Sequence, residues 1–388
     1  MHPLGLYISV PFCRSKCTYC NFASGVFPAS YMERYIGRLS EDLQSAAAFT
    51  PANTLDSIYL GGGTPSLLPP QLFTTLFRTI RDQFEVLQAA EITVECAPGQ
   101  LPDDTLQAML ECGVNRISFG VQSFIDQEAR ATGRLHTRAV ALADLRRVQQ
   151  AGIARVNADL IAGLPYQTEQ SWLESLQVLC ETQVDHASIY MLEVDDDSRL
   201  GKEVLNGGAR YFAPTVPSED AVAEMYLSAI ETLASAGWQQ YEISNFARNR
   251  AESRHNKKYW QREPYLGLGV DAHSLLRNPD GAAVRFATTD DLEGYLQSPA
   301  WYDRRTLTQQ EELEEAWFLG LRLNSGVSLR KLEAEFGTAA IAAFRSVINE
   351  LLEDGLLLES NGSIQLTPHG RLLSNNVFER FLLSGVSA

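Results

Sequence analysis

Six short β-prone runs, each followed by an amphipathic helical stretch, fill the first 240 residues and leave few folds open. The runs are Leu6–Val10, Ser57–Leu60, Ile92–Glu95, Arg116–Gly120, Val156–Ile161 and Ala187–Leu192. Helical patterns lie between them over Ser30–Phe49, Pro70–Phe84, Asp103–Cys112, Thr137–Ala151 and Glu169–Glu181, and Glu219–Ala236 follows the sixth run. Strands that alternate with helices of this length fold as βαβ units, because a parallel neighbour is reached only through a crossover. The expected class is therefore α/β. In parallel barrels chemistry collects at the C-terminal strand ends, and the polar signatures of this chain sit at those ends.

The first signature is Cys13-Arg-Ser-Lys-Cys17-Thr-Tyr-Cys20, a C-x3-C-x2-C spacing directly after the first run. Soft thiolates this close suit zinc or an iron–sulfur cluster. A structural zinc site closes with four ligands, and no further Cys or His lies nearby. Three thiolates on a four-iron cluster leave one iron open. The other cysteines, Cys96, Cys112 and Cys180, are scattered and read as small buried hydrophobes. The second signature, Gly61-Gly62-Gly63-Thr64-Pro65-Ser66, follows the second run, and its glycines let a ligand approach the backbone.

Together these motifs resemble those of the radical S-adenosylmethionine (SAM) superfamily. That resemblance implies a partial (β/α)6 barrel, a [4Fe-4S] cluster on Cys13, Cys17 and Cys20, and SAM chelated to the open iron. One electron from an electron donor, passed through the cluster, then cleaves SAM to a 5′-deoxyadenosyl radical. By the same resemblance Gly61, Gly62, Gly63 and Thr64 receive the SAM amino group and Glu95 the ribose hydroxyls. Gln122, Arg134 and Asp159 complete the contacts, and Arg134 suits a carboxylate through its fork of donors. Tyr7 and Tyr19 flank the cluster and would pack on adenine or methionine.

Within the superfamily the whole chain is similar to the oxygen-independent coproporphyrinogen III oxidase family. Two departures point to its haem-chaperone branch, the HemW-type proteins. Phe22 stands where the dehydrogenases carry a fourth cysteine, and only twelve residues precede Cys13 where they have an N-terminal extension. The branch implies haem or porphyrin binding and delivery to acceptor proteins; the dehydrogenase reading implies oxidative decarboxylation of coproporphyrinogen III. The segment Arg254-His255-Asn256-Lys257-Lys258-Tyr259-Trp260 matches the branch's H-N-x-x-Y-W motif. Between Asn245 and Tyr265 six Arg and Lys face two Glu, an excess of four positive charges suited to propionates. His255 is the candidate haem ligand and His273 a second; His2, His136, His186 and His369 carry no neighbouring pattern.

Glu193–Ser218, rich in Asp, Gly and Pro, reads as an excursion over the barrel mouth. The pattern changes again near residue 308. Helices over Gln310–Leu323, Ser328–Phe336 and Ala339–Asp354, then a hairpin at Asn361-Gly362, give a C-terminal winged-helix-like domain. The expected division is 1–240 for the barrel, 241–307 for a connecting segment and 308–388 for the C-terminal domain. A formal net charge of −16 argues against nucleic-acid binding. No run approaches a membrane span of about 18 apolar residues, and Met1-His-Pro-Leu lacks a basic leader. The expected location is cytoplasmic, a reducing compartment that suits the cluster.

Overall fold

The computed structural model describes residues 3–50, 52–297 and 301–382; Met1 and His2 lie outside them. Its first half alternates strand and helix: β1 (Leu4–Val10), α1 (Ser30–Phe49), β2 (Thr54–Gly62), α2 (Pro70–Gln83), β3 (Glu85–Cys96) and α3 (Asp103–Glu111). Then come β4 (Arg116–Gln122), α4 (Asp126–Ala131), α5 (Arg138–Gln150), β5 (Arg155–Ala162), α6 (Glu169–Glu181) and β6 (His186–Met191). Strands β1 to β6 are parallel and adjacent in chain order. Thr137 and Thr168 cap α5 and α6 by accepting backbone N–H groups of the first turn, which fixes where each helix begins.

The chain continues through α7 (Arg199–Leu205), α8 (Glu219–Ser235), β7 (Gln239–Gln240), β8 (Asn245–Ala247) and α9 (Arg254–Trp260). It then forms β9 (Tyr265–Leu268), β10 (His273–Arg277), β11 (Ala283–Ala287), α10 (Leu292–Gln297) and β12 (Tyr302–Thr306). β8 pairs antiparallel with β6, whereas β9 pairs parallel with β1 and leads into β10, β11 and β12. Among the described residues the twelve strands of this sheet end at β12 and β7, which do not pair with each other, so the sheet does not close. Residues 241–307 thus supply strands to both flanks of the six-stranded centre.

Side chains alternate across each central strand. Leu6, Ile8 and Val10, Ile58 and Leu60, Ile117, Phe119 and Val121, and Val156, Ala158 and Leu160 face the helices and form the main core. The opposite face carries Ser57 and Tyr59, Glu91 and Glu95, Arg116 and Ser118, Asn157 and Asp159, and His186 and Ser188, joined by hydrogen bonds across the strands. A closed parallel barrel fills this space with branched apolar side chains; here it is polar.

The C-terminal unit comprises α11 (Gln309–Gly320), β13 (Val327–Ser328), α12 (Leu329–Phe336), α13 (Thr338–Ala342), α14 (Arg345–Glu353), β14 (Leu357–Ser360), β15 (Ser363–Leu366), α15 (Pro368–Leu372) and α16 (Ser374–Glu379). Its antiparallel sheet runs β13-β15-β14. Asn361 and Gly362 both have positive φ, 52° and 73°, as a two-residue hairpin turn needs. The single helix expected over Ala339–Asp354 is two, α13 and α14. Phe344 at the break is buried against Trp317 and Phe381, with ring centroids 5.6 and 5.7 Å away. No helix among the described residues is long and apolar enough to cross a membrane. Truncating the central ring, Trp317→Ala, should cost about 3–5 kcal/mol. Chemical denaturation followed through the C-terminal unit measures it, and a loss below about 1 kcal/mol would contradict this packing.

Candidate functional site

Beyond Val10 the chain stays strapped to the glycine loop. Gly63 N–H donates to Val10 O at 2.9 Å and Thr64 N–H to Phe12 O at 2.8 Å; the far side of the cysteine loop is held by Cys13 N–H to Gly25 O, 2.8 Å. Gly61 and Gly62, expected just after the strand, belong to it and pair with Ser9 and Val10. Gly62 has φ +95°, which favours glycine. A Cβ on Gly63 would lie 2.7 Å from Val10 O and 2.8 Å from Phe12 O. Only glycine lets the two loops approach this closely.

The loops open onto a cavity of about 470 Å³ at the C-terminal strand ends. It is lined by Cys13, Cys17, Cys20 and Tyr19, by Gly62, Gly63 and Thr64, and by Glu95, Gln122, Arg134 and Asp159. Thr64 Oγ1 lies 3.9 Å from Cys13 Sγ, Arg134 Nη1 3.5 Å from Cys17 Sγ, and Ser24 Oγ 4.0 Å from Cys20 Sγ. Burial pushes the Cys13 thiol up, against the hydroxyls of Ser24 and Thr64. No three His, Cys, Asp or Glu side chains among the described residues converge on a single-ion position. Three thiols lining one cavity suit an iron–sulfur cluster. The cluster loop also carries the excursion after β6: Leu200 N–H donates to Thr18 O at 2.8 Å, and Asn21 Nδ2 to Asp195 at 3.1 Å.

Around the rest of the cavity the polar groups are held ready. Tyr59 O–H donates to Glu95 Oε1 at 2.8 Å. Burial nevertheless raises the Glu95 carboxyl to about 7, opposed by that hydrogen bond and reinforced by Asp159. Burial also raises Asp159, against donors on Ser188, Asn157 and Ser118. Gln122 follows a β-bulge at the end of β4 with φ 70°, and its buried Oε1 has no partner among the described residues. A strained residue aiming an unpaired acceptor into a cavity fits a ligand-binding group. The donor set, three thiols with carboxylates, a guanidinium and an open glycine backbone, fits a cluster and the amino, carboxyl and ribose groups of SAM.

Two of the expected residues sit deeper. Gly61 is walled by Glu95 and Tyr59, and Tyr7 is 6.1 Å from the Tyr59 ring on the inner face. The structure does not bring His255 to the cavity. Its ring is fully buried near the N-terminal strand ends, with Nδ1 2.9 Å from Ser57 Oγ and Nε2 2.8 Å from Tyr259 O–H. Burial and Lys258 lower it to about 3. With both nitrogens engaged and no exposed edge, the folded chain presents no haem-ligating atom there. Three of the basic segment's six cations are ion-paired. Lys258, 1% exposed, meets Asp56 at 3.0 Å and Glu263 at 3.2 Å; Lys257 meets Glu252 at 2.5 Å; Arg262 meets Glu335 at 2.8 Å. Arg254 donates to the carbonyls of Asp56 and Ala89. Carboxylates from outside the segment, on Asp56 and Glu335, thus offset part of the excess counted along the sequence. His273 is exposed beside Asp271. Cys96 and Cys112 are buried as expected and Cys180 partly so.

Sequence reasoning missed the inner-face groups beneath the cavity, Ser118, Asn157, Ser188 and above all His186. For Ser118 and Asn157 a signal was present, in the alternation of Arg116, Ser118 and Gln122 with apolar residues on β4 and of Asn157 and Asp159 with apolar residues on β5.

An open sheet with three thiols, a glycine loop, two carboxylates and a guanidinium at the C-terminal ends of its parallel strands has the features of a radical SAM protein. The family model for the Radical SAM superfamily matches residues 7–179, and that for the HemN C-terminal domain matches residues 307–373. Heme chaperone HemW of Lactococcus lactis subsp. lactis is 34% identical over 388 residues, 99% of each chain. Heme chaperone HemW of Bacillus subtilis is 31% identical over 97% of this chain and 98% of its own. The chain belongs to the HemW family. The solved coproporphyrinogen III oxidase (HemN) of Escherichia coli shares the fold, with a TM-score of 0.84 at 24% identity over 98% of this chain and 90% of that one. Radical SAM membership implies the [4Fe-4S] cluster and SAM.

Two outcomes follow for the site. Gly63→Ala should reduce iron incorporation and weaken SAM binding at least about tenfold, or 1.4 kcal/mol, because its Cβ meets only backbone; iron analysis and SAM titration measure both. Glu95, raised when folded, holds its proton to higher pH than in the unfolded chain. Its contribution to stability is full below about pH 4.5 and is lost as pH rises to about 7. The stability difference between cluster-free wild type and Glu95→Gln should therefore fall across that window and level off above it, as denaturation at stepped pH will show.

Proposed function

We propose that this chain is a radical SAM haem chaperone. Cys13, Cys17 and Cys20 hold the cluster; Gly62, Gly63, Glu95, Gln122, Arg134 and Asp159 hold SAM; and haem is passed to acceptor proteins. The cavity that gathers all of these groups carries the cofactor part of the reading. The full-length likeness to HemW proteins supports the chaperone part, as does Phe22, 59% exposed at the cavity where the dehydrogenases carry a fourth cysteine. When bound, the cluster supplies an electron to SAM. The protein's part is to orient SAM through Glu95 and Asp159, to receive its charged groups at Arg134 and the glycine backbone, and to cover the cysteine loop with residues 193–205.

Haem contact in this reading lies outside the folded surroundings of His255. Anaerobically reconstituted protein should bind haem on titration and leave coproporphyrinogen III unconverted. His255→Ala should lower the melting temperature and leave the Soret position of bound haem unchanged. Turnover of coproporphyrinogen without haem binding would replace the chaperone by the dehydrogenase. A shifted Soret band would return His255 to the iron.

A further inference from the structure

A directional chain of hydrogen bonds runs through the polar interior from the start of α9 to the cavity. Ser253 N–H donates to Tyr241 Oη at 3.2 Å, and Tyr241 lies 2.9 Å from His186 Nε2. His186 Nδ1 lies 2.7 Å from Asn157 Oδ1, and Asn157 Nδ2 donates to Asp159 Oδ1 at 2.6 Å. Asn157 and His186 are buried, at 4% and 2% exposure. We propose that Tyr241 and His186 are positioning residues that fix the amide of Asn157 and, through it, the carboxylate of Asp159 in the SAM site. The inference rests on the reading of Asp159 as a SAM contact.

Each link has one sensible polarity. Tyr241 accepts from the backbone N–H of Ser253, which leaves its own proton to donate to His186 Nε2. A neutral imidazole that accepts at Nε2 carries its proton on Nδ1. Burial and Arg116 hold His186 well below its ordinary range and therefore neutral. The Nδ1–H then needs an acceptor, which selects the oxygen of the Asn157 amide and turns its NH2 toward Asp159 and Ser118. Were His186 in the other tautomer, Asn157 would turn its NH2 to Nδ1 and present its oxygen to a carboxylate already raised by burial. Two like acceptors would then face each other, and the contact would hold only if the Asp159 carboxyl took up a proton and gave up its charge.

The chain also gives residues 241–253 a task that their sequence does not advertise. Ser253 caps α9, accepting from Asn256 N–H at 3.2 Å, and donates to Glu91 at 3.3 Å, which in turn receives His255 N–H at 3.0 Å. The H-N-x-x-Y-W helix is thus tied to the SAM site as a support of its geometry.

The test uses the full-length, cluster-loaded protein with SAM as the probe. Tyr241→Phe should weaken SAM binding about tenfold at unchanged iron and sulfide content. Nitrogen-15 histidine spectra should show His186 as the Nδ1–H tautomer in the wild type and as a mixture in the variant. Tyr241→Phe also strands the Ser253 N–H, so His186→Phe serves as the second variant; it keeps that bond and should weaken SAM at least as much. Asp159→Asn is the control. If it weakens SAM while Tyr241→Phe and His186→Phe lower only the melting temperature, with affinity unchanged, the positioning role is overturned and the site stands. If Asp159→Asn binds SAM as the wild type does, the SAM reading of Asp159 falls and the inference falls with it.

Discussion

Backbone hydrogen bonds that continue past the ends of β1 and β2 hold the cluster loop in place. Gly63 and Thr64 donate to Val10 and Phe12, and Gly25 closes the loop from the other side on Pro11 and Cys13. Thiolates can serve a cluster only if their loop is held in one conformation, and here the holding is done by peptide groups that depend little on side-chain identity. The exception is Gly63, where any Cβ would enter the space of the opposing carbonyls.

The second constraint is the polar lining of the open sheet. An apolar fill would have been simpler to pack, but an open barrel that binds an amino acid and a ribose needs acceptors and donors reaching up from below. Buried polar groups are tolerated only when they satisfy one another. The Asn157–His186–Tyr241 and Ser57–His255–Tyr259 sets do this, leaving Gln122 Oε1 among the unpaired buried atoms where it borders the cavity. The lower layer is satisfied within the protein, and the upper layer borders the cavity.

Much of this was legible from the chain alone. Helix limits such as Ser30–Phe49 and Glu169–Glu181 follow from apolar periodicity and coincide with the observed ones. The three cysteines, Gly62, Gly63, Glu95, Gln122, Arg134 and Asp159 meet at one cavity because strand ends in a parallel sheet share one rim. What could not be read was pairing in three dimensions. Lys258 looks like a free cation until Asp56, some two hundred residues earlier, is folded against it. His255 looks like a ligand until Ser57 and Tyr259 take its nitrogens. His186 carried no local pattern because its side-chain partners, Asn157 and Tyr241, lie on two other segments.

The central claim is that three thiolates leave one iron for SAM at a rim built to hold it. Electron paramagnetic resonance of the reconstituted, reduced protein, recorded with and without SAM, tests this most directly. SAM bound at the open iron should shift the g values of the wild-type cluster. A cluster signal identical with and without saturating SAM would contradict the account.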